Sequence, residues 1–596
     1  MNRMLALDGP AFAPVVAMSL VSLVAAFGNP YFLVNDNLTY AEWSAAGLMS
    51  PSLGAPVSWL VHSLTKVFGA AVNWYGATLY ACLTGAIALV LDGVRRLPLR
   101  RRDRLTISIV AAFIFAPFAF RLDYTATAIL LAAAGLFWFA AATQNGAQLR
   151  HGATLAAAIS LAAMIRHQAP FAALSIAAPL LVFCSAARES TGLTAVRRVA
   201  GAAFLLIACI SIGVASVVVD HAVKRRVGSD AYAAFVAFND VRGALHGTAF
   251  MALEFEEAEL ERRVGWTMND FHAFRRWLFV DETTYNVQAL SAFRELASDV
   301  SRRAGAQSNM TLKARNWRGG YLSFAPFIAL CVVYVFALQR DDRNLQARLW
   351  SIAATIGAAG CVAFILARTV RFPPQVGWAF LAAALVFVAA IVVTGRTSPA
   401  GATNRQGILL LTGIAGAISI WLAVHADILR SAAASHAAFD AQARFMNTAF
   451  DGDFVLIEPA AGLEVKFLHP LAPERRRFAT VHTGWTTFSP LFYRQLAENS
   501  LSSGADALIH LIDNQNAFLV GDFGYAKLLV QQLNERSHEN VRAILCRDYW
   551  TSDRARTFQL TTSGQKPGAD PDVILRLAKS AERFAPAICR KGRRTA

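Results

Sequence analysis

The sequence predicts an all-α polytopic membrane protein with a C-terminal soluble α/β or α+β domain, and three observations predict it. The 596 residues are 55% hydrophobic and only 16% charged, with a mean hydropathy of +0.40, whereas a soluble chain carries about a quarter charged residues. Apolar runs recur through residues 1–424, each near the ~20 residues that a membrane helix needs. From 425 onward the apolar runs shorten. Strand-like DFVLIEP, ALIHLID and VRAILC mix there with the helical stretch GYAKLLVQQLNE, in a tail long enough for its own core.

Spans are expected near 11–28, 72–92, 105–120, 124–143, 153–166, 169–186, 200–220, 321–338, 349–367, 376–394 and 407–424, about eleven in all. The first run has the length of a cleavable signal, but the spans that follow favour a retained signal anchor. Arginines set the orientation. The loop 93–104, GVRRLPLRRRDR, is the most basic short loop and so is cytoplasmic. Alternation then brings 144–152, 187–199, 339–348 and 395–406 to the same side, and each of these carries Arg. Residues 29–71, the loop 221–320 and the tail face outward. The chain thus divides into a transmembrane domain, 1–424, and an outer soluble domain, 425–596. Within the outer loop, MALEFEEAELERR and VQALSAFRELASDVSRR have helical spacing with dense charge.

The net charge of +16 and pI near 9.9 first suggest nucleic acid. Much of the excess sits in short loops between apolar runs, where it sets orientation, so no nucleic-acid partner is expected. Zinc-type cysteine spacing and a phosphate-binding glycine loop are both missing from the sequence. Cys82, Cys184, Cys209, Cys331 and Cys361 lie in apolar runs and read as small packing residues. Cys546 and Cys589 fall in polar sequence and could pair in an oxidising space, a point that their spacing leaves open.

The first outer loop, 29–71, is too polar to span a membrane. Asp36 lies just beyond the first apolar run, and Glu42 follows on the helix predicted after it. Val57, Leu60, Val61, Leu64, Val67 and Phe68 then repeat at helical spacing opposite His62, Ser63, Thr65 and Lys66, which suits a helix lying in the interface. An ordinary amphipathic connector would show the same pattern. Arg121, Arg166, Arg368 and Arg371 fall at predicted outer helix ends, where the positive-inside rule does not want them. A guanidinium fork matches two phosphate oxygens, so together they suit a phosphorylated lipid, although any one alone could simply snorkel. Arg121 and Asp123, two residues apart, read as a structural ion pair. His167 reads as a satisfied polar residue or a proton carrier. Asn239, Asp240 and Arg242 form a polar cluster that a solvated turn would equally explain.

The order of parts resembles the GT-C membrane glycosyltransferases, with an acidic first outer loop, an interfacial helix, a many-helix core and a soluble C-terminal domain. The stretch VNDNLTYAEWSAAGLMSPSLGAPVSWLVHSLTKVFGAAVNWYG is similar to a bacterial group with an N-D-D motif in that loop. The matching positions are Asn35, Asp36, Gly47, Pro56, Asn73, Trp74 and Tyr75. Weaker echoes are Tyr124-Thr125, Arg166-His167-Gln168, Asn239–Arg242, and His482-Thr483-Gly484-Trp485 with Ser489-Pro490. One departure matters: Asn37 stands where the pattern has a second acid.

The resemblance implies transfer of a sugar from a polyprenyl-phosphate donor to a glycan, lipid or protein acceptor, on the outer face of a bacterial inner membrane. Asp36 would be the general base, Arg121, Arg166, Arg368 and Arg371 would hold the lipid phosphate, and Glu42, Asn239 and Arg242 would complete substrate binding. Inversion at the anomeric carbon is implied. No cofactor is certain, no metal ligand is assigned, and a divalent cation at the acid motif stays open. The alternative from another class is a transporter or flippase of a lipid-linked saccharide, which needs the arginines but no base. The topology has a direct test. Reporter fusions after residue 100 and at the C-terminus are expected to give opposite signals, and matching signals would break the span count.

Overall fold

The computed structural model describes residues 11–28, 30–32, 36–97, 101–142, 149–175, 177, 193–246, 249–303, 376–380, 382–384, 450–457, 469–472, 478–514, 516–521, 523–537, 541–548 and 556–562. The expected spans 321–338, 349–367 and 407–424, and parts of 169–186 and 376–394, lie outside these residues. So do Asn35, Arg368, Arg371, Cys589 and the side chain of Cys546. The chain forms two compact units: Met1–Val227 with Met310–Ala434 and Lys466–Pro473, and Gly228–Asn309 with Ser435–Val465 and Glu474–Ala596.

The first unit is helical. Its described elements are α1 (Phe12–Phe27), β1 (Tyr31–Phe32), α2 (Asp36–Ala45), α3 (Ala55–Phe68), α4 (Trp74–Arg96) and α5 (Arg101–Phe120). They continue with β2 (Arg121–Leu122), α6 (Tyr124–Ala142), α7 (Leu149–Ile165) and α8 (Leu193–Val227). Among them Trp74–Arg96, Tyr124–Ala142 and Ala203–Val227 are long and apolar enough to cross a membrane, and Phe12–Phe27, Ile107–Phe120 and Leu149–Ile165 are shorter apolar helices. The helix α6 is apolar on every side and so belongs in the middle. Its apolar window is 83% buried, against 22% for α8, and it packs on α4 and α7. The outer face of α8 shows Phe204, Ile207, Ile210, Val214 and Val218.

The predicted amphipathic helix is α3. Ala55, Val57, Ser58 and Val61 are buried, while Trp59, Leu60, Val67 and Phe68 form an exposed apolar ridge. The turn before it is tight. Gly47 has φ +73°, and a side chain there would meet the His62 ring, whose Nδ1 lies 3.0 Å from the Ala45 carbonyl.

The second unit contains a five-stranded sheet in the order β4-β3-β5-β7-β6, with β3 (Phe454–Ile457), β4 (Ala479–His482), β5 (Ala517–Gly521), β6 (Val541–Asp548) and β7 (Arg556–Thr562). Both neighbours of β3 run parallel to it, and β7 is antiparallel to β5 and β6. The helices are α9 (Asp230–His246), α10 (Glu257–Val264), α11 (Met268–Arg275) and α12 (Val287–Arg303), then α13 (Pro490–Glu498), α14 (Gly504–Asp513) and α15 (Phe523–Ser537).

Two expectations change here. ALIHLID is helical, within α14, not a strand. Ser503 caps the helix by accepting from the Asp506 backbone N–H at 3.1 Å, and buried Ala507 and Leu511 are four apart. The strand is instead the short apolar run AFLVG of β5. The segment 228–309, expected as a loop of the transmembrane domain, shares one core with the tail. Phe238, Leu245, Trp266, Phe274 and Phe293 join Phe454, Leu456, Val481, Leu519 and Leu529 in it. Amphipathic helices must bury their apolar stripe somewhere, and this sheet is what they find. A polar tie crosses the same core: Gln532 Nε2 donates to Asp270 Oδ1 at 3.0 Å and to the Tyr285 hydroxyl at 2.6 Å.

The start of α14 presses on the strap 278–280. A Cβ added at Gly504 would lie 1.9 Å from the Val280 carbonyl oxygen, a backbone atom that cannot swing away. Gly504→Ala is therefore expected to destabilise the second unit by about 2–3 kcal/mol, read as a lowered melting temperature. Unchanged melting would show that the two segments are not in contact.

Candidate functional site

Two short strands build the site. β1 pairs in parallel with β2, with Tyr31 opposite Arg121 and Phe32 opposite Leu122. Chains leaving parallel strands emerge at the same end, so the residues after Phe32 and those after Leu122 start as neighbours. After β1 the chain reaches Asp36 at the start of α2, and after β2 it reaches Asp123 at the start of α6. Both acids sit at helix N-termini, where the peptide dipoles favour negative charge.

Their surroundings differ. Asp123 is 1% exposed and caps α6: its Oδ1 accepts from the Ala126 backbone N–H at 2.8 Å, and its carbonyl accepts from the Thr127 N–H. Burial pushes its carboxyl up to about 6. The Ala126 N–H and the Asn37 amide pull the other way, Asp36 adds to the rise, and Arg166 opposes it. Asp36 is only half-buried. Its charge acts on Tyr40, Tyr75, Asp123, Tyr124 and Arg166, so it belongs to the same group. Asn37 is fully buried and accepts from the Tyr75 hydroxyl at 3.0 Å, so it serves as a polar spacer between the two acids.

A guanidinium and aromatic rings close the cluster. Arg166 follows α7 and lies 5.5 Å from the centroid of the Tyr124 ring, in cation–π contact. The Tyr40 and Tyr124 rings meet edge to face at 5.0 Å. Burial pushes the Tyr40 phenol well above its ordinary pKa, so it stays a neutral hydrogen-bonding group beside the acids. Chemically, the group offers one half-exposed carboxylate, one buried carboxyl and a fixed positive charge. Those suit proton removal from a hydroxyl together with binding of an anionic leaving group.

Of the residues predicted from sequence, Asp36 and Arg166 come together. Arg121 is not paired with Asp123. Its guanidinium lies 5.1 Å from the Trp378 ring centroid and feels Tyr31, because Asp123 turns over the N-terminus of α6 instead. Glu42 lies six residues beyond Asp36 on α2, about 120° round the helix. Asn239 and Arg242 belong to the second unit, where Arg242 bonds Asn239 Oδ1 and stacks 4.8 Å over Trp277. Arg368 and Arg371 lie outside the described residues. His167 is a satisfied polar residue, with Nε2 3.0 Å from Asp220 Oδ2. Sequence reasoning missed Asp123, Tyr40 and Asp220. Asp123 had a local signal in its place just before the apolar run 124–142, where an aspartate can cap a helix.

No family model matches the chain, and neither does any curated protein. Two crystal structures of ArnT from Cupriavidus metallidurans are similar, one in the apo state and one bound to undecaprenyl phosphate. Each has a TM-score of 0.37 and 13% identity, over 92% and 94% of this chain and 98% and 100% of theirs. A likeness this distant fixes neither the fold nor the chemistry of this chain.

The raised Asp123 carboxyl has a pH signature. Its native pKa of about 6 lies above the unfolded value of about 4, so the native state binds the proton more tightly. Stability is therefore lost as pH rises between these two values, and the loss is complete above them. Asp123→Asn keeps the helix cap and removes that loss. The variant is expected to be more stable than wild type at pH 7.5, by up to about 3 kcal/mol, with the difference vanishing near pH 4. Thermal unfolding in detergent at both pH values measures it; an equal difference at the two would show that Asp123 does not titrate in this range.

Proposed function

We propose that the chain is a GT-C-type glycosyltransferase of the N-D-D group. It moves a sugar from a polyprenyl-phosphate donor to a glycan, lipid or protein acceptor at the outer face of a bacterial inner membrane. The observation that carries this reading is the convergence of Asp36, Asp123 and Arg166 where α2 and α6 begin.

Asp36 acts as general base. Its side chain is part-exposed and so can meet an acceptor hydroxyl, whereas Asp123 is spent on capping α6. The hydroxyl proton passes to Asp36 as its oxygen bonds to the anomeric carbon. The bond from that carbon to the phosphate oxygen breaks, and the electron pair leaves with the polyprenyl phosphate. Attack opposite the leaving group inverts the anomeric configuration. Arg166 neutralises the departing phosphate, assisted by Arg121 and by Arg368 and Arg371, whose spacing in RTVRF puts them on one helical side. Asn239 and Arg242 are left to packing within the second unit. No step needs a metal.

The short stretch 469–472 belongs to the helical unit. His469 Nε2 lies 2.8 Å from the Ala25 carbonyl at the end of α1, and Leu471 O accepts from the Asn73 N–H at the start of α4. Those are the helix ends that flank residues 29–71, the loop expected outside from the arginine pattern. A transporter remains the second reading because α8 carries a buried Asp220–Lys224 pair within an apolar helix.

Transfer by the purified wild type decides between them, and Asp36→Asn tests the mechanism. The amide keeps the size of the side chain but not its basic oxygen, so transfer should fall about 10²–10⁴-fold with folding and carrier binding intact. Glu42→Gln is the control and should change little. Wild-type transfer by purified Asp36→Asn would remove Asp36 as the base, whereas no transfer by the purified wild type from a polyprenyl-phosphate sugar would favour the transporter.

A further inference from the structure

The buried carboxylate of Asp220 plays no part in the chemistry above, yet it is bonded to three partners in the helical unit. It is 0% exposed, on an apolar helix whose other face shows Val214, Val218 and Val219. A charge in that setting is costly unless fully partnered, and it marks a function or a fixed register. Its partners are specific. Oδ1 accepts from the Ala55 backbone N–H at 2.6 Å, while Oδ2 lies 3.0 Å from His167 Nε2 and 2.7 Å from Lys224 Nζ. Lys224 Nζ also lies 3.5 Å from the Pro51 carbonyl oxygen.

These bonds join three segments far apart in sequence. Ala55 is the first residue of α3, and the preceding Gly54 has no side chain to cap the helix, so Asp220 supplies the cap from α8. His167 sits in the turn after α7, beside Arg166. The Gly54 N–H donates to Met164 O at 2.6 Å and ties that turn directly to the start of α3.

We infer that Asp220, with Lys224, is a positioning residue for the acid cluster. It clamps the start of α3 and the Arg166–His167 turn onto α8, and so fixes where the Arg166 guanidinium meets Tyr124 and the carrier phosphate. The clamp stands on its own; its effect on the phosphate rests on the role proposed for Arg166.

The test uses full-length protein in detergent, with undecaprenyl phosphate as the probe. The double variant Asp220→Leu/Lys224→Met removes both charges and the acceptor for the Ala55 N–H together, so no orphan charge is left buried and the fold is expected to hold. Hydrogen exchange at Ala55 and at Ala169, whose N–H bonds to Arg166 O, should speed up roughly tenfold or more, with α6 amides unchanged. Affinity for undecaprenyl phosphate should fall about as far as in Arg166→Gln, on the order of tenfold. His167→Leu leaves the Asp220–Lys224 pair intact and serves if the double variant does not fold. It should loosen Ala169 and weaken binding while Ala55 stays protected. Unchanged exchange at these amides, in a variant that melts like wild type, overturns the clamp. If Arg166→Gln binds the probe normally, the carrier-phosphate reading fails, while the exchange data still decide the clamp.

Discussion

Asp123 caps α6 from inside the helical unit, and the end of the bundle is arranged round that buried carboxylate. A buried carboxylate needs donors and neighbouring dipoles, and here the first turn of α6 supplies them. Asn37 is held by Tyr75, and Tyr40 packs against Tyr124 at the head of α6. The position of α2, and of Asp36 at its tip, follows from these contacts. Two aspartates a helix-end apart thus divide the work. The one sealed in is pushed up to about 6 and organises the structure, and the other stands half-open at the tip of α2.

The second unit rests on a different kind of constraint. Its helices within 228–303 have narrow apolar stripes and dense charge, as in α12, where Leu290, Phe293, Leu296 and Ala297 are buried and Arg294, Glu295, Asp299, Arg302 and Arg303 carry charge. Such helices gain little alone. Their stability comes from an aromatic core in which Trp266 stacks on Phe293 at 5.2 Å and meets Tyr285 at 5.4 Å. The indole N–H still needs an acceptor, and the Thr284 carbonyl provides it at 2.9 Å.

Local periodicity made much of this legible. The stripe Val57, Val61 and Leu64 foretold α3, the helix VQALSAFRELASDVSRR is α12 residue for residue, and Asp36 was singled out by its place after the first apolar run. What the sequence hid was long-range. ALIHLID has strand-like composition, and only the Ser503 cap and the packing of Leu511 make it a helix. Asp123 looked like the partner of Arg121 because they are two residues apart, but the turn into α6 separates their side chains. Asp220 offered no signal at all, since its partners Ala55 and His167 lie far away along the chain.

The joint origin of the second core has a consequence for how the protein is made. Its helical half, 228–309, leaves the ribosome before the stretch 310–434, and the sheet that covers it comes later still. At typical synthesis rates of ~5–20 residues per second, the gap lasts on the order of ten seconds. Through that interval Trp266, Phe274 and Phe293 have no sheet to pack on, and their apolar surface invites aggregation. A holding chaperone on that side of the membrane would shelter them until the last strands arrive. Yield in the cell should then depend on the pace of translation through 310–434 as much as on the stability of the finished fold.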